Sequence, residues 1–322
     1  MAELDYGHVP ALLESVSLKY KNSIFRINEL LPLVHVLKRS DKILVNDMSN
    51  VFTRHKTARG QDGRSNFVSF NEHTVEFSCK NHALHTYVSD KLVKNANPAL
   101  QPLIRATEGL TEKILLDREI RGAEYLGDTA NYNTAFKQNI AAAWGDLTAS
   151  NPVEDILAAK GSMLTPPNVF AVGDQDFRSL IQHPAFKQYI SGGATADSPA
   201  VMTAEVLASI LGVERVIVFA SQYRTNPDEP DASATWEMIW DNFAGLYYVE
   251  GLGEDNFLPE LDMTSFGFMA SWDPDQKQRP TRVNVDFNME RDGGSHFLEA
   301  EEDTDITISI PEVGFLFYNL RS

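Results

Sequence analysis

At 322 residues the chain is long enough for one large domain or two, and 43% hydrophobic residues suffice for a sizeable core. No apolar run approaches the roughly 18 residues of a membrane span, and a single cysteine, Cys79, excludes an intrachain disulfide framework and a multi-cysteine zinc site. The net charge of −17 is unevenly spread, +3 over residues 1–100, −4 over 101–225 and −16 over 226–322, so no concentrated basic surface of the kind a nucleic-acid reader needs is present. A basic first third and an acidic last third can attract each other between copies; acidic loops that merely keep the chain dissolved are the plainer alternative.

The amino terminus has no basic-then-apolar signal pattern, which leads us to expect an intracellular product. Residues 1–50 read as an arm: a short helix over 11–20, apolar residues without a clear period from Ile24 to Leu33, and a strand at Leu33-Val34-His35-Val36-Leu37. The polar stretch TRHKTARGQDGRSN follows, with Arg54, Lys56, Arg59 and Arg64 against a lone Asp62. Val51-Phe52 and Phe67 to Phe70 are the expected sides of a long hairpin that is too polar to bury itself and therefore projects. Thr74 to Ser78 alternates as another strand, on which Cys79 is expected as a small buried residue.

The stretch 97–132 predicts a long amphipathic helix. Asn97-Pro98 is a cap followed by a first-turn proline, and apolar residues recur at helical spacing from Leu100 to Leu126. Glu112, Lys113, Asp117, Arg118 and Arg121 are assigned to its exposed face. Gly109, Gly122 and Gly127 each cost about 1 kcal/mol inside a helix, so the helix is expected to bend, or to be crossed closely by another chain.

Residues 153–220 alternate helix and strand as an α/β unit, with Asn151, Asp176 and Thr203 as helix caps and Gly212 as a stop. RTNPDEPDASAT, residues 224–235, is a loop, and Trp236 to Trp240 pairs with Leu246 to Val249 in this reading. Strands then follow at 265–272, 282–289, 306–310 and 314–319, with a turn at Asp292-Gly293-Gly294.

No catalytic or cofactor motif stands up. His82 and His85 fall on opposite faces of a strand, the acidic run Glu299, Glu301, Glu302, Asp303 and Asp305 lacks calcium-loop spacing and reads as a solvated face, and Gly251-Leu252-Gly253 fails as a dinucleotide motif. Trp144, Trp236, Trp240 and Trp272 read as core anchors. The expectation is a protein that is not an enzyme and needs no cofactor or metal.

The order of parts resembles the major capsid proteins of tailed bacteriophages, with the Hong Kong 97-type fold that encapsulin shells also use. Asn22-Ser23-Ile24-Phe25 through Leu31-Pro32-Leu33-Val34-His35-Val36 resembles the family's arm, and the hairpin at 53–72 sits where the family has its extended loop. His82 to Asp90, Asn97-Pro98 and Leu116, Glu119 and Ala123 resemble the approach to its spine helix. Trp144 with Ser150-Asn151-Pro152-Val153-Glu154-Asp155-Ile156 is similar to its "W…SDP…DI" junction, and Pro167-Asn168-Val169, His183-Pro184, Leu211-Gly212-Val213 and Val216-Ile217-Val218 to its axial domain.

The resemblance implies an α+β fold with an arm (1–50), an extended hairpin loop (51–80), a peripheral domain carrying the spine helix 97–132 (81–150), an axial domain (151–255) and peripheral strands to the carboxyl terminus (256–322). It implies self-assembly as hexamers and pentamers of an icosahedral shell enclosing double-stranded DNA without sequence-specific binding, with assembly in the host cytoplasm and residence in the virion. A separate scaffolding protein is expected because the arm begins almost at once, together with a portal and an optional decoration protein. Lys56 lies in the loop, but the turn has no matching asparagine, so covalent crosslinking is not carried over. Expected contacts between subunits are Arg54, Lys56, Arg59, Arg64, Asp292, Gly293 and Gly294, and expected flex points of the helix are Gly109 and Gly122. The alternatives are an encapsulin-type compartment and, in a different class, a soluble α/β enzyme.

Overall fold

The computed structural model describes residues 13, 15–17, 22–46, 53–55, 57–59, 64–69, 72–96, 101–191, 202–227, 230, 233–249, 265–275, 281–288 and 294–321. Two five-stranded sheets dominate it. The first is built on β13 (Ser295–Ile308), a strand of 14 residues. β4 (Lys80–Ser89) lines one edge of β13 from Ser295↔Ser89 to Thr304↔Lys80. The other edge is shared end to end by β12 (Arg282–Asn288) and β11 (Gly267–Trp272). β1 (Leu33–Val36) adds parallel to β11, close to the expected strand.

The second sheet runs β5 (Lys137–Asn139), β14 (Gly314–Tyr318), β10 (Phe243–Tyr247), β6 (Val169–Gly173) and β7 (Arg215–Phe219). Every residue of β6 and β10 is buried, as expected of short apolar runs covered on both faces. Helices α3 (Pro152–Ser162), α4 (Asp174–Gln182), α5 (Pro184–Ser191) and α6 (Ala204–Leu211) belong to this unit. One side of the sheet holds a core that includes Trp144, Ile156, Leu180, Phe186, Leu207 and Phe317. The expected caps of α6 are present: Thr203 Oγ1 accepts from Val206 N at 3.4 Å, and Gly212 takes the left-handed conformation at φ 61. Asp176 is not a cap; α4 starts at Asp174, and Asp176 is buried inside it against Arg321 at 2.9 Å.

Two expectations of connectivity give way. The carboxyl-terminal strand β14, expected in the peripheral sheet, lies in the second sheet between β5 and β10. Its residues Gly314 to Phe317 are buried, which suits a central strand, and pattern alone does not say in which sheet. The strands of Trp236 and Leu246 do not pair with each other. β9 (Trp236–Met238) pairs with β8 (Gln222–Arg224), leaving Trp236 60% exposed, while β10 pairs with β14 and β6.

Between the sheets a junction core collects Ile27, Leu30 and Leu31 of the arm, Ala123 and Leu126 of the long helix, Ala171 and Phe219 of the second sheet, and Phe268 and Met269 of the first. At roughly 1.5–3 kcal/mol for each fully buried aliphatic or aromatic side chain, this core holds arm, helix and both sheets together. After the short α1 (Asp90–Asn95), capped by Ser89 Oγ on Leu92 N at 3.2 Å, comes that helix, α2 (Pro102–Gly127). Its 26 residues span about 39 Å. It is shorter than the predicted 97–132. Asn97-Pro98 lies outside the described residues; the observed start is Pro102 after a left-handed Gln101, φ 36. The end comes early because the Asp128 carboxylate accepts from Ala130 N at 2.8 Å and turns the chain.

Candidate assembly surfaces

A hairpin is present among the described residues, but its paired sides are not those predicted. β2 (Ser40–Asn46) and β3 (Glu72–Ser78) form an antiparallel ladder from Ser40↔Ser78 to Asn46↔Glu72. Val51, Phe52 and Phe70 lie outside the described residues, and Phe67 is 91% exposed and outside any strand. The ladder forms where one of its faces can be covered: Ile43 and Phe77 join the junction core, with Val75 against it. Beyond that point Arg54, Arg59 and Arg64 are exposed, and among the described residues none pairs with a carboxylate. Lys56 lies outside the described residues.

The root of the hairpin is clamped. Arg39 donates to the Cys79 carbonyl at 3.1 Å, pairs with Asp303 Oδ1 at 3.2 Å and lies 5.9 Å over the Trp272 ring. Ser78 N donates to Asp305 Oδ2 at 2.7 Å. Cys79 is buried as expected, and burial together with the charges of Asp305 and Asp303 pushes its thiol up to about 12, leaving it unreactive.

The arm runs along α2. Leu13 shares a core with Leu110 and Ile114, Ser17 Oγ meets Thr111 Oγ1 at 2.8 Å, and Asn22 reaches Glu112 at 3.3 Å. Ile27 closes the contact: its amide donates to Glu119 Oε2 at 2.8 Å, and its side chain fills the space over Gly122. A Cβ at Gly122 would stand 2.3 Å from Ile27 Cγ1, so this glycine is required for close crossing, and the crossing segment is the chain's own arm. Gly109 is different, with nothing within 4 Å of an added Cβ. Burial is the main cause that lifts the Glu119 carboxyl to about 7, against hydrogen bonds from the Ile27 and Arg26 amides.

On a neighbouring side of α2 the acidic run of β13 is not a solvated face. Leu298, Ala300 and Glu302 point the same way along the strand, toward the helix. Glu302 is 0% exposed and is gripped by Arg118, with Nε to Oε2 at 3.1 Å, and by Arg121, with Nη2 to Oε1 at 2.6 Å. Arg118, predicted on the exposed face, is 2% exposed and also donates to Thr281 Oγ1 at 3.3 Å. Arg121 is held in turn by Asp117 at 2.7 Å and Thr304 at 3.1 Å. The alternate residues Glu299, Glu301 and Asp303 face away, where Asp303 is buried by Arg282 and Arg39 while Glu299 and Glu301 stay half-buried. His82 and His85 do separate across the sheet: His82 comes within 3.8 Å of Asp117, and His85 packs edge-on to Tyr87 and tilted against Phe297. The signal for the buried pair was in the sequence, since Glu302 is in phase with Leu298 and Ala300.

β12 and β13 pair up to Asn288↔Ser295, on either side of the expected turn, whose Asp292 and Gly293 lie outside the described residues. Gly294 takes φ 107, favourable to glycine, and its carbonyl accepts from Asp90 N at 3.0 Å, tying the turn to α1. Among the described residues no group of three potential metal ligands occurs. What the arrangement offers is shape: a clamped basic hairpin, a docked arm and a helix welded to a sheet.

No family model matches the chain. It is 26% identical over 309 residues to a major capsid protein of Pseudomonas phage JBD67, covering 95% of each. A solved phage-related protein of Bordetella bronchiseptica RB50 shares the architecture with a TM-score of 0.70 at 19% identity, covering 96% of each chain. The capsid structure of Cyanophage P-SCSP1u follows with a TM-score of 0.55 at 8% identity, over 91% of this chain and 87% of that one. The fold is the Hong Kong 97-type capsid fold. Within it α2 is the long spine helix packed on the first sheet, and the second sheet with α3 to α6 forms the α/β unit.

Proposed function

We propose that this chain is the major capsid protein of a tailed, double-stranded DNA bacteriophage and builds the icosahedral head from hexamers and pentamers of itself. The carrying observation is sequence kinship with a phage major capsid protein over 95% of both chains. Fold alone does not separate a phage head from an encapsulin compartment; the kinship favours the head. Electron microscopy of the purified full chain, expressed alone and with the proteins encoded beside it, is expected to show closed shells. Dispersed subunits under every condition would sink the reading.

In this reading Arg54, Lys56, Arg59 and Arg64 lie on an acidic surface of the neighbouring copy, and Asp292, Gly293 and Gly294 meet their own copies where three capsomers join. What supports the first contact is charge. The hairpin tip is basic, and the face of the first sheet turned away from α2 carries exposed Asp286 beside half-buried Glu299 and Glu301, the last already meeting Arg282 at 3.3 Å. Assembly takes place in the host cytoplasm with a separate scaffolding protein, a portal closes one vertex, and a decoration protein is an optional addition. Gly109, with open space around it, is the flex point retained for the spine helix. Gly122 has a packing role as well.

A further inference from the structure

Glu119 lies in the C-terminal half of α2 and is 0% exposed. It is met by two other parts of the chain. The arm supplies the Ile27 amide at 2.8 Å and the Arg26 amide; the turn after β7 supplies the Ser221 hydroxyl, 3.4 Å from Oε1. Among the described residues no cation stands within ion-pair distance of it. Arg26, whose charge acts on it, and the cations of the elements around it are engaged elsewhere. Arg26 of the arm holds Glu29 at 2.7 Å, Arg215 of β7 holds the other oxygen of Glu29 at 2.6 Å, and the adjacent Arg118 is turned to Glu302. A carboxylate here has neither water nor a close counter-charge, whereas a neutral carboxyl keeps its hydrogen bonds, accepting from the Ile27 and Arg26 amides and exchanging one with a hydroxyl that donates or accepts.

We propose that Glu119 is a proton-dependent latch on the amino-terminal arm: when neutral it closes residues 26–28 onto the spine helix and the second sheet, and when ionised it favours an arm opened to water. The latch has a built hinge point, because the same stretch seats Ile27 over Gly122 and nothing larger than glycine fits beneath it. Opening would uncover Ile27 and, further along, Leu30 and Leu31, which are 2%, 2% and 0% exposed when closed. Such an apolar surface is one that another copy could cover.

The sign follows from linkage. The carboxyl is held at about 7 in the closed arm against an ordinary value of 4.5 in water, so the closed form binds the proton more tightly. Raising the pH from 4.5 through 7 therefore shifts the arm toward opening, and above 7 the effect levels off. Hydrogen exchange of the Ile27 amide in the full chain, referred to Val172 at the centre of β6, reads this directly. The relative protection of Ile27 is expected to fall roughly 10-fold between about pH 5.5 and pH 7. In Glu119→Gln, a neutral isostere, it is expected to stay high and flat, and in Glu119→Ala low and flat. A flat wild-type profile, the wild-type slope persisting in Glu119→Gln, or Ile27 remaining protected in Glu119→Ala would each overturn the proposal.

Discussion

Arg118 and Glu119 are neighbours in sequence, both buried, and face different neighbours around the same helix. Arg118 enters the first sheet and finds Glu302, which Arg121 grips from its other oxygen. Glu119 enters the pocket between the arm and the second sheet and finds only amides and a hydroxyl. One side of the spine helix is fastened by charge against charge, another by a carboxyl that is best left uncharged. The difference teaches which contact is permanent. A buried pair is costly to separate, because each partner would be stranded without water, while an unpaired carboxyl can be relieved simply by letting water in.

Removing one partner of the pair is the strongest way to break that contrast. Glu302→Ala leaves Arg118 and Arg121 facing a dry sheet, and is expected to cost about 3–5 kcal/mol in denaturant unfolding. The double change Arg118→Met with Glu302→Leu is expected to recover most of that loss, leaving Arg121 with Asp117. Full stability of the single variant would show that water reaches Glu302 and that the weld is not one.

The opposite sign is expected for the unpaired group. Glu119→Gln removes a charge that the fold disfavours, so it should gain stability over the parent as pH rises from 4.5 to 7, by up to about 3 kcal/mol at the plateau above 7. Thermal unfolding of both proteins across that range measures it. Parent and variant tracking each other at every pH would remove the contrast on which the comparison rests.

Much of this molecule was legible in its residues, and what was not has a physical reason. The arm strand, the alternation of helix and strand through residues 153–220 and the Thr203 and Gly212 caps all come from local chemistry, which a sequence carries openly. Sheet membership does not, because β14 is equally apolar whichever sheet it joins. The pairing of Arg118 with Glu302 is separated by 184 positions, and neither residue declares burial by its type. A stricter reading of strand phase would have placed Glu302 under the helix. Glu119 had no comparable signal, since its partners are backbone amides and a serine that any surface glutamate could also find.

The two glycines of α2 sharpen the comparison at smaller cost. Gly122→Ala places a methyl 2.3 Å from Ile27 Cγ1 and should cost about 1–3 kcal/mol, with loss of Ile27 amide protection as the arm is lifted. Gly109→Ala meets nothing within 4 Å and should stabilise by up to about 1 kcal/mol through helix propensity alone. In a shell that expands, Gly109→Ala also tests flexing of the helix: altered expansion without lost stability supports a bend there, and unchanged expansion removes it.

The hairpin arginines complete the series, as charge left in water. Arg59→Glu combined with Arg64→Glu touches no buried contact among the described residues, so the unfolding midpoint of the free chain should move by less than about 0.5 kcal/mol. Shell yield, by contrast, should collapse, because the reversed tip would face Asp286, Glu299 and Glu301 of the neighbour with like charge. The reversal Glu299→Lys with Glu301→Lys on the opposing face should restore assembly in part when combined with it. Normal shells from the arginine reversal alone would mean that the hairpin is positioned by its clamped root at Arg39 and Asp303, and that its tip charges serve only solubility.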